Sequence, residues 1–430
     1  MTASTTVEVP EWADPEAVFA VWEQRSDDVF WLDAGPDATT GWSWVGTGSL
    51  ASDEVVAAVP AGGEVSASVS AGPLAGGWVG WMPYDRAAAL AGAPATEEPG
   101  LAAGRWVRAD AVVGFDHAHR RVRIRAATAD LPDLIDLVRR APSPAPPPPA
   151  AASQARARHT PTRYRALIAS CRDAIREGDA YQLCLTTRFD VDGVEDAASV
   201  YRRLRALTPA HHGGFIRIGD TSLLSASPEQ FLGVHGGRVQ TRPIKGTRPR
   251  GATPEEDRAL AADLAADPKE RAENVMIVDL MRNDLSRVCT PGSVGVDHLL
   301  DVETYPAVHQ LVSTVSGVLR PDVTVGALMA ATFPAGSMTG APKLSAMTLL
   351  HGLEAAPRGV YSGAFGWVGA DGALDLAMTI RSIVVTGARA YVGAGGGITW
   401  RSRPDAEVAE VGIKARGPLS ALGAPVPDGW

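Results

Sequence analysis

Two short acidic motifs have a spacing that lets carboxylates act together. Glu270 and Glu273 lie in the segment DPKERAENVMIVDLMRNDL. Glu407 and Glu410 lie in RPDAEVAEVGIKA. Both segments are predicted helices, and residues three apart on a helix share a face, where like charges repel each other. If both pairs faced one cleft, a hard divalent cation such as Mg²⁺, which prefers carboxylate and water ligands, would hold them ionised together.

The same pairs have an ordinary explanation as solvated faces of two surface helices. Lys414 follows Glu410 by four residues, so it would then serve as a salt-bridge partner on the same face. Glu8 and Glu11 repeat the spacing around Pro10, where no helix is expected, so the pattern also arises without a function. Spacing alone leaves both interpretations open.

A basic segment, RPIKGTRPRG, holds Lys245 between two prolines and among arginines. The preceding RVQTRPI predicts a strand, so Lys245 is expected at or just past a strand end. Lys245 is then either a solvated turn residue or a nucleophile. A basic face for nucleic acid is disfavoured, because the whole chain is acidic and no wider basic stripe accompanies the segment.

Two further segments predict polar groups next to strands. In YQLCLTTRFDV, strict alternation puts Tyr181 and the leucines on one face and Gln182 on the opposite, polar face. In VGAGGGITW, Gly395, Gly396 and Gly397 follow a strand, where backbone N–H groups could point at an anion. A tight turn explains these glycines equally well.

Composition and charge narrow the class of protein. The chain has 430 residues, 45% of them hydrophobic, which is enough for a sizeable core and more than one folding unit. The formal net charge of −9 argues against nucleic acid and means that an anionic substrate needs local cations or a metal. The three cysteines lie far apart, and neither a membrane span nor a signal peptide is recognisable. A cytoplasmic location without membrane contact is therefore expected.

A proline- and alanine-rich segment divides the chain. Residues 141–158, APSPAPPPPAAASQARAR, favour an extended spacer that cannot join a packed core, so a linker is predicted there. Residues 1–140 are then an N-terminal scaffold region, 159–420 are the domain that carries the motifs, and 421–430 are a C-terminal tail. Strands and helices come in runs, which favours an α+β fold with largely antiparallel sheets.

The motifs stand in a fixed order from Pro161 to Leu419. In that order the following segments resemble the chorismate-utilising enzymes: GDAYQLCLTTRF, LLSASPEQFL, TRPIKGTRPRG, DPKERAENVMIVDLMRNDLSRV, VETYPAVHQLVSTV, FPAGSMTGAPKLSAM, RGVYSGAFGWVG, AMTIRSIVV and VGAGGGITWRSRPDAEVAEVGIKA. In the N-terminal half, VFWLDAG and GGWVGWMPYD resemble the family more weakly. The resemblance implies two interleaved α/β subdomains whose largely antiparallel sheets form a sandwich around a chorismate cleft.

The resemblance also implies a metal site. Glu273 and Glu410 match positions that ligate Mg²⁺, while Glu270 and Glu407 match positions that hold its waters. The metal would bind the ring carboxylate of chorismate. This would explain how a net-acidic chain accepts a dianion.

Further positions match substrate contacts in the family. Arg381 and Tyr361 match residues that hold the enolpyruvyl carboxylate, assisted by backbone N–H groups of a turn at 395–397. Lys414 and Ser337 match contacts around the ring. Some relatives bury a tryptophan with a serine and a proline–aromatic pair. Ala34 and the His211–His212 pair stand at those places here, which puts a tryptophan site in doubt.

Two positions separate the branches of the family. Anthranilate synthases have alanine where this chain has Lys245, whereas the aminodeoxychorismate synthase branch has lysine. In that branch the lysine amine attacks C2 of the ring as the C4 hydroxyl leaves, and ammonia then attacks C4 and expels the lysine. Glu229 matches the acid that protonates the departing hydroxyl. Isochorismate and salicylate synthases have lysine in place of Gln182 to activate water, so a water nucleophile is disfavoured here.

The implied chemistry constrains the protonation of Lys245. Attack requires a neutral amine near pH 7, so we expect burial or nearby cations to depress the pKa of Lys245. Arg242 and Arg248 would be those cations if they point inward.

The ammonia would come from outside this chain. A glutaminase needs a nucleophilic cysteine in a glycine-rich elbow, and none of ASCRD, QLCLT or RVCTP provides one. A separate glutamine amidotransferase subunit is therefore expected as a partner, or free ammonia in its absence. Two alternatives stay open: an enzyme of the anthranilate synthase type that aminates C2, and a non-catalytic chorismate-binding subunit.

Overall fold

The computed structural model contains twenty strands and eleven α-helices in the residues that it describes, which are 4–62, 74, 76–101, 103–194, 196–305 and 308–430. The strands are β1 (Ser4–Val9), β2 (Val29–Asp33), β3 (Trp42–Ala51), β4 (Gly77–Met82), β5 (Arg105–Asp116), β6 (Arg121–Ala127), β7 (Ala155–Ala157), β8 (Gln182–Asp192), β9 (His212–Ile218), β10 (Thr221–Ser227), β11 (Gln230–His235), β12 (Arg238–Thr241), β13 (Ile244–Pro249), β14 (Gly295–Thr304), β15 (Val308–Val318), β16 (Gly340–Ala341), β17 (Ala364–Gly369), β18 (Leu374–Met378), β19 (Ser382–Thr386) and β20 (Arg389–Ile398). The helices are α1 (Pro15–Glu23), α2 (Asp53–Ala57), α3 (Tyr84–Leu90), α4 (Leu131–Arg140), α5 (Pro161–Glu177), α6 (Ala197–Leu207), α7 (Pro254–Ala266), α8 (Pro268–Ser286), α9 (Val325–Thr332), α10 (Lys343–Glu354) and α11 (Pro404–Ala421). A 3₁₀ turn, Gly336–Met338, precedes β16.

The strands form one long antiparallel sheet. Its pairing runs in the order β14, β15, β12, β11, β18, β17, β4, β5, β3, β2, β9, β10, β19, β20 and β8. β13 also pairs with β15, β6 pairs with β5 and β1, and β7 and β16 pair with β8. Sheets of this kind bury alternate side chains against a second layer.

The two halves of the sheet pack face to face. Phe365 on β17 touches the backbone of β9, where a Cβ on Gly214 would lie 2.8 Å from the phenylalanine ring. Trp44 and Trp367 also meet across the layers, with ring centroids 6.1 Å apart. A single hydrophobic cluster contains buried residues from both halves and from α8 and α9. The predicted sandwich is therefore confirmed, as is the α+β class.

Helices α1, α4, α5, α6, α10 and α11 cover the outer face of the half that carries β8 and β20. Their apolar side chains form a second cluster with those strands, including Tyr164, Leu204 and Val411. Thr160 caps α5 with its hydroxyl, and Pro161 takes the first helical position. These helices fix the position of β8 and β20, which line the site described below.

Strands from both sides of segment 141–158 share the sheet. β2 from the N-terminal half pairs with β9, and β4 pairs with β17, so the two subdomains are interleaved. Residues Ala155–Ala157 form β7 beside β8. The domain boundaries at 140, 158 and 420 stay a prediction about chain organisation. In the described part of the chain, no helix is long and apolar enough to cross a membrane.

Candidate active site

The two acidic pairs converge from α8 and α11. Asp267 caps α8 by accepting a hydrogen bond from the backbone N–H of Glu270, so Glu270 and Glu273 occupy its first turns. Glu407 and Glu410 occupy the first turns of α11. Burial raises the pKa of Glu273, and the charge of Glu407 raises it further. Burial also raises the pKa of Glu270, and the charge of Glu410 adds to that rise. The four carboxylates therefore form one cluster and not two separate solvated faces.

The cluster fits a hard cation by its chemistry. Burial raises the pKa of Glu407, and Oε1 of Glu273 is buried without a hydrogen-bond partner. Buried carboxylate oxygens are costly unless a cation or donor compensates them. Among the residues that the structure describes, no three acidic, histidine or cysteine side chains are arranged to enclose a metal ion. The ammonium of Lys269 lies between the pairs instead, and Mg²⁺ stays a prediction.

Lys245 lies close to this cluster and not in a solvated turn. It is the second residue of β13, opposite Leu311 on β15, and its side chain is half-buried. The next residue, Gly246, has φ of 80° and packs against Glu270, because a Cβ there would lie 3.0 Å from Cγ of Glu270. At this irregular residue the segment that carries Lys245 packs directly against α8.

The expected depression of the Lys245 pKa is wrong. Burial lowers the pKa of Lys245, but the charge of Glu273 and of other acidic neighbours outweighs burial and raises it above its ordinary value. Arg242 and Arg248 do not point inward. Arg242 pairs with Glu303, and Arg248 pairs with carboxylates of the α7 and α8 region. The charges of the acidic neighbours therefore favour the ammonium form of Lys245.

Glu229 lies between β10 and β11 and is buried. Burial raises the pKa of Glu229 to about 7, against the opposing charge of Lys245 and a hydrogen bond from Ser337. Ser337 is held in the 3₁₀ turn and is itself buried. A carboxyl that titrates near neutrality beside a lysine is a suitable general acid.

Gln182 completes this group on β8. Its side chain is fully buried, and neither its Nε2 nor its Oε1 has a hydrogen-bond partner. A Cβ on Gly397 would lie 2.3 Å from that Nε2 and 3.6 Å from Nζ of Lys245, so the amide and the ammonium meet at Gly397. The expected polar face of β8 exists, but Tyr181 precedes the strand and is exposed. Both faces of β8 are buried at this end because α10 and β16 cover it.

The glycine segment is a strand and not the expected turn. Gly395, Gly396 and Gly397 pair along β8, and β19 pairs with β20 only up to Val392. Lys414 donates a hydrogen bond to the Gly395 carbonyl at 2.9 Å and forms an ion pair with Glu410 at 2.7 Å. The salt-bridge interpretation of Lys414 was thus correct, and the lysine also joins α11 to the glycine strand.

Arg381 and Tyr361 form a further group beside β20. Tyr361 is buried beneath Gly393, and Arg381, in a left-handed conformation with φ of 52°, lies close enough to interact with it electrostatically. Burial lowers the pKa of Arg381, although Tyr361 and Glu410 act in the opposite direction. In the residues that the structure describes, the Arg381 guanidinium makes no hydrogen bond or ion pair.

A pair of glycine variants tests this close packing. A Cβ on Gly393 would lie 2.1 Å from Cγ of Tyr361, so we expect Gly393→Ala to lower the free energy of unfolding by about 1–3 kcal/mol. Gly352 in α10 has nothing within 4 Å, so Gly352→Ala should stabilise by about 0.5–1 kcal/mol. Denaturant unfolding measures both. Similar effects in the two variants would contradict the packing of Tyr361 under the strand.

A buried network behind β8 was not among the features predicted from the sequence. Glu354 accepts hydrogen bonds from the backbone N–H and the hydroxyl of Thr186 and pairs with Arg358 at 2.7 Å. Arg358 donates to the carbonyls of Cys184 and Met338, at 2.8 and 2.7 Å. It thus ties β8 to the segment that holds Ser337. The four-residue spacing of Glu354 and Arg358 was the available signal, but α10 ends between them.

A separate cavity of about 580 Å³ is lined by Ala34, His211, His212 and Trp44. None of the predicted catalytic or metal-binding side chains lines it. Burial and the neighbouring His212 lower the pKa of His211 to about 3, so that histidine is neutral.

Comparison with known proteins agrees with this geometry. Residues 21–420 match the family model described as chorismate binding enzyme. The chain is 43% identical over 364 residues to an aminodeoxychorismate synthase of Streptomyces pristinaespiralis, covering 80% of this chain and 50% of that protein. It is 40% identical over 374 residues to anthranilate synthase component 1 of Streptomyces coelicolor, covering 81% and 73%. The chain therefore spans only half of the Streptomyces pristinaespiralis protein.

A solved structure supports the same conclusion. Anthranilate synthase component I of Streptococcus pneumoniae superimposes with a TM-score of 0.72 at 33% identity, covering 80% of this chain and 81% of that one. The menaquinone-specific isochorismate synthase of Escherichia coli shares the fold, with a TM-score of 0.74 at 17% identity over 98% and 95% of the chains. This chain therefore belongs to the chorismate-binding enzyme family.

Proposed function

We propose that this chain converts chorismate and ammonia to 4-amino-4-deoxychorismate, the precursor of p-aminobenzoate. The observation that carries the proposal is the juxtaposition of Lys245 with Glu229, whose pKa burial raises to about 7. A lysine nucleophile needs a nearby group that accepts its proton and then delivers a proton to the leaving hydroxyl. Glu229 is suited to both tasks.

The first step begins with a proton transfer from the Lys245 ammonium to the Glu229 carboxylate. The neutral amine forms a C–N bond at C2 of the ring, the C4–O bond breaks, and Glu229 protonates the departing oxygen to give water. Ammonia then forms the C–N bond at C4, the C2–N bond breaks with its electron pair on Lys245, and the new C4 ammonium returns one proton to the lysine amine. The sum is chorismate plus ammonia giving 4-amino-4-deoxychorismate plus water, with the lysine regenerated.

The acidic cluster is proposed as the Mg²⁺ site, with Glu273 and Glu410 as ligands and Glu270 and Glu407 holding its waters. When bound, the cation would neutralise the ring carboxylate of chorismate. The fit rests on the carboxylate donors and on the orphaned Oε1 of Glu273.

The substrate would be held by groups around the glycine strand. Arg381 and Tyr361 would bind the enolpyruvyl carboxylate, together with backbone N–H groups of residues 395–397. Lys414, Ser337 and Gln182 would contact the ring. The support is that Gln182 is buried with both amide atoms unpartnered, which leaves a donor and an acceptor for a polar ligand.

A glutamine amidotransferase subunit is proposed as the source of ammonia, with free ammonia as its substitute, and the location is proposed to be cytoplasmic. The free cysteines Cys171, Cys184 and Cys289 are all buried, and burial raises the pKa of each thiol. A thiol of that kind is a poor glutaminase nucleophile. None of these three cysteines is therefore proposed as a glutaminase nucleophile.

Product identification tests the proposal. The purified chain is incubated with chorismate, Mg²⁺ and an ammonium salt, and the products are separated and identified by mass spectrometry. The expected product is 4-amino-4-deoxychorismate, with pyruvate absent. Anthranilate with pyruvate would instead support C2 amination, a candidate favoured by the 40% identity to the Streptomyces coelicolor anthranilate synthase component. Binding of chorismate without turnover would support a non-catalytic subunit.

The Lys245–Glu229 pair predicts a pH dependence. Burial raises the pKa of Glu229 to about 7, and acidic neighbours raise the pKa of Lys245 above its ordinary value, so just above about pH 7 the pair holds one proton. One proton is what the first step needs. Below about pH 7 Glu229 takes up a second proton, so kcat/KM is expected to fall about tenfold per pH unit.

Glu229→Gln should abolish this acid limb and lower kcat by about 10²–10⁴-fold, because it removes the proton carrier. Initial rates from about pH 5 to 9, at a constant concentration of free ammonia, measure both effects. A wild-type kcat/KM that rises as the pH falls below 7 would contradict the shared proton.

A further inference from the structure

Lys269 lies where the two acidic pairs face each other. Its Nζ is 3.8 Å from Oε1 of Glu273 on the same helix and 3.6 Å from Oε1 of Glu407 on α11. We propose that Lys269 is an internal counter-cation that occupies the cluster in the metal-free protein and leaves it when a divalent cation binds. This inference rests on the cation site of the proposed function, but not on the reaction proposed there.

The distances describe a loose ion pair and not a set of hydrogen bonds. Protein N–H···O hydrogen bonds have donor–acceptor distances of about 2.7–3.2 Å, so neither contact of Lys269 reaches that range. Oε1 of Glu273 accordingly stays without a hydrogen-bond partner. The ammonium compensates the charge of the cluster without satisfying its oxygens. Mg²⁺ binds carboxylate oxygens at about 2.0–2.1 Å and would satisfy them.

Occupation by the ammonium and by a divalent cation exclude each other. Both need Oε1 of Glu273, which the ammonium approaches and the metal would ligate, and the ammonium also approaches Glu407, which would hold the waters of the metal. Two cations within one cluster of carboxylates also repel each other. The Lys269 side chain is 40% exposed and has a flexible four-carbon stem, so it can swing into solvent without breaking core contacts. Glu273 and Glu407 are almost completely buried and cannot follow it.

The effect of Lys269 can be separated experimentally from that of other cations in the chain. The chain has only the lysines Lys245, Lys269, Lys343 and Lys414. Lys343 is bound to Asp284 at 2.6 Å and to the Thr332 carbonyl, outside the acidic cluster. Arg271 is on the same helix turn as Lys269, but it donates to the Ala265 carbonyl. Arg271→Met is therefore a charge-matched control for Lys269→Met, and Lys343 is an internal reference.

Calorimetric titration of the metal-free full chain with Mg²⁺ tests the competition. Lys269→Met is expected to bind Mg²⁺ about tenfold more tightly than wild type, since the metal no longer displaces an ammonium. Arg271→Met should stay within about twofold of wild type. Without metal, Lys269→Met should melt about 2 °C lower than wild type, and the difference should vanish at saturating Mg²⁺.

Amine labelling separates displacement from a simple loss of charge. Wild-type protein is treated with an acylating reagent with and without Mg²⁺, and peptide mass spectrometry gives the extent of modification at Lys269 and Lys343. Displacement predicts that Mg²⁺ accelerates labelling of Lys269 severalfold relative to Lys343. Unchanged or slower labelling of Lys269, or equal Mg²⁺ affinities of wild type and Lys269→Met, would overturn the inference alone. Absence of Mg²⁺ binding to the wild-type chain would overturn the inference together with the cation site.

Discussion

Lys245→Ala is expected to lower kcat/KM for amination at C4 by about 10³-fold, because it removes the proposed nucleophile. The side chain is half-buried beside Glu229 and Glu273, and Lys245 is the second residue of β13. Ammonia would then have to displace the C4 hydroxyl without the covalent step. Rates with chorismate and an ammonium salt, and a search for a lysine adduct by intact-protein mass spectrometry, check the prediction.

Two controls separate the nucleophile from its charge. Lys245→Arg keeps the cation among the acidic neighbours but should lose as much activity as Lys245→Ala, since a guanidinium is not a nucleophile near neutral pH. Arg250→Ala removes a cation from the same segment, where it pairs with Asp257 at the surface, and should change kcat/KM less than about twofold. Recovery of activity in Lys245→Arg would show that the charge matters and the covalent step does not.

Arg358→Met is expected to lower the free energy of unfolding by about 3–5 kcal/mol, because it leaves the buried Glu354 carboxylate without its cation. Arg358 is 3% exposed, stacks its guanidinium 4.3 Å from the centre of the Tyr84 ring, and donates to two backbone carbonyls. Those carbonyls belong to β8 and to the turn of Ser337. Removing the Arg358 guanidinium should therefore disturb the cleft as well as the core.

Denaturant unfolding measures this loss. The matched control is Arg282→Met, which breaks an exposed pair with Asp279 on α8 and should cost less than about 1 kcal/mol. The double variant Glu354→Gln with Arg358→Met should recover part of the stability, since it no longer buries an unpaired charge. A loss below about 1 kcal/mol in Arg358→Met would mean that the network does not support the fold.

The predictions that rest on local sequence patterns succeeded. Both acidic pairs lie on helices, Lys414 pairs with Glu410, and Gln182 lies on the side of β8 opposite Leu183. These features depend on helical and strand periodicity, which is set by backbone geometry over a few residues. Order along the chain then sufficed to identify the family and its sandwich fold.

The predictions that failed concern groups whose environment comes from distant segments. Residues 395–397 were expected in a turn, but β8, some two hundred residues earlier, pairs with them as a strand. The pKa of Lys245 was expected to be depressed, but α8 brings Glu273 beside it and raises the pKa. Arg242 was a candidate cation for the cleft, but it pairs with Glu303 on β14.

The sequence by itself therefore determined the family, the periodic faces and the residue types that could do chemistry. Only the tertiary structure decided which of them meet: Lys245 with Glu229 and Gln182, Lys269 between the acidic pairs, and Arg358 behind β8. The reason is that a pKa or an ion pair depends on burial and on charges a few ångströms away, and those neighbours come from separate parts of the chain. Spacing along the sequence predicts pairs within one helix, such as Lys414 with Glu410, but carries no information about distances between separate segments.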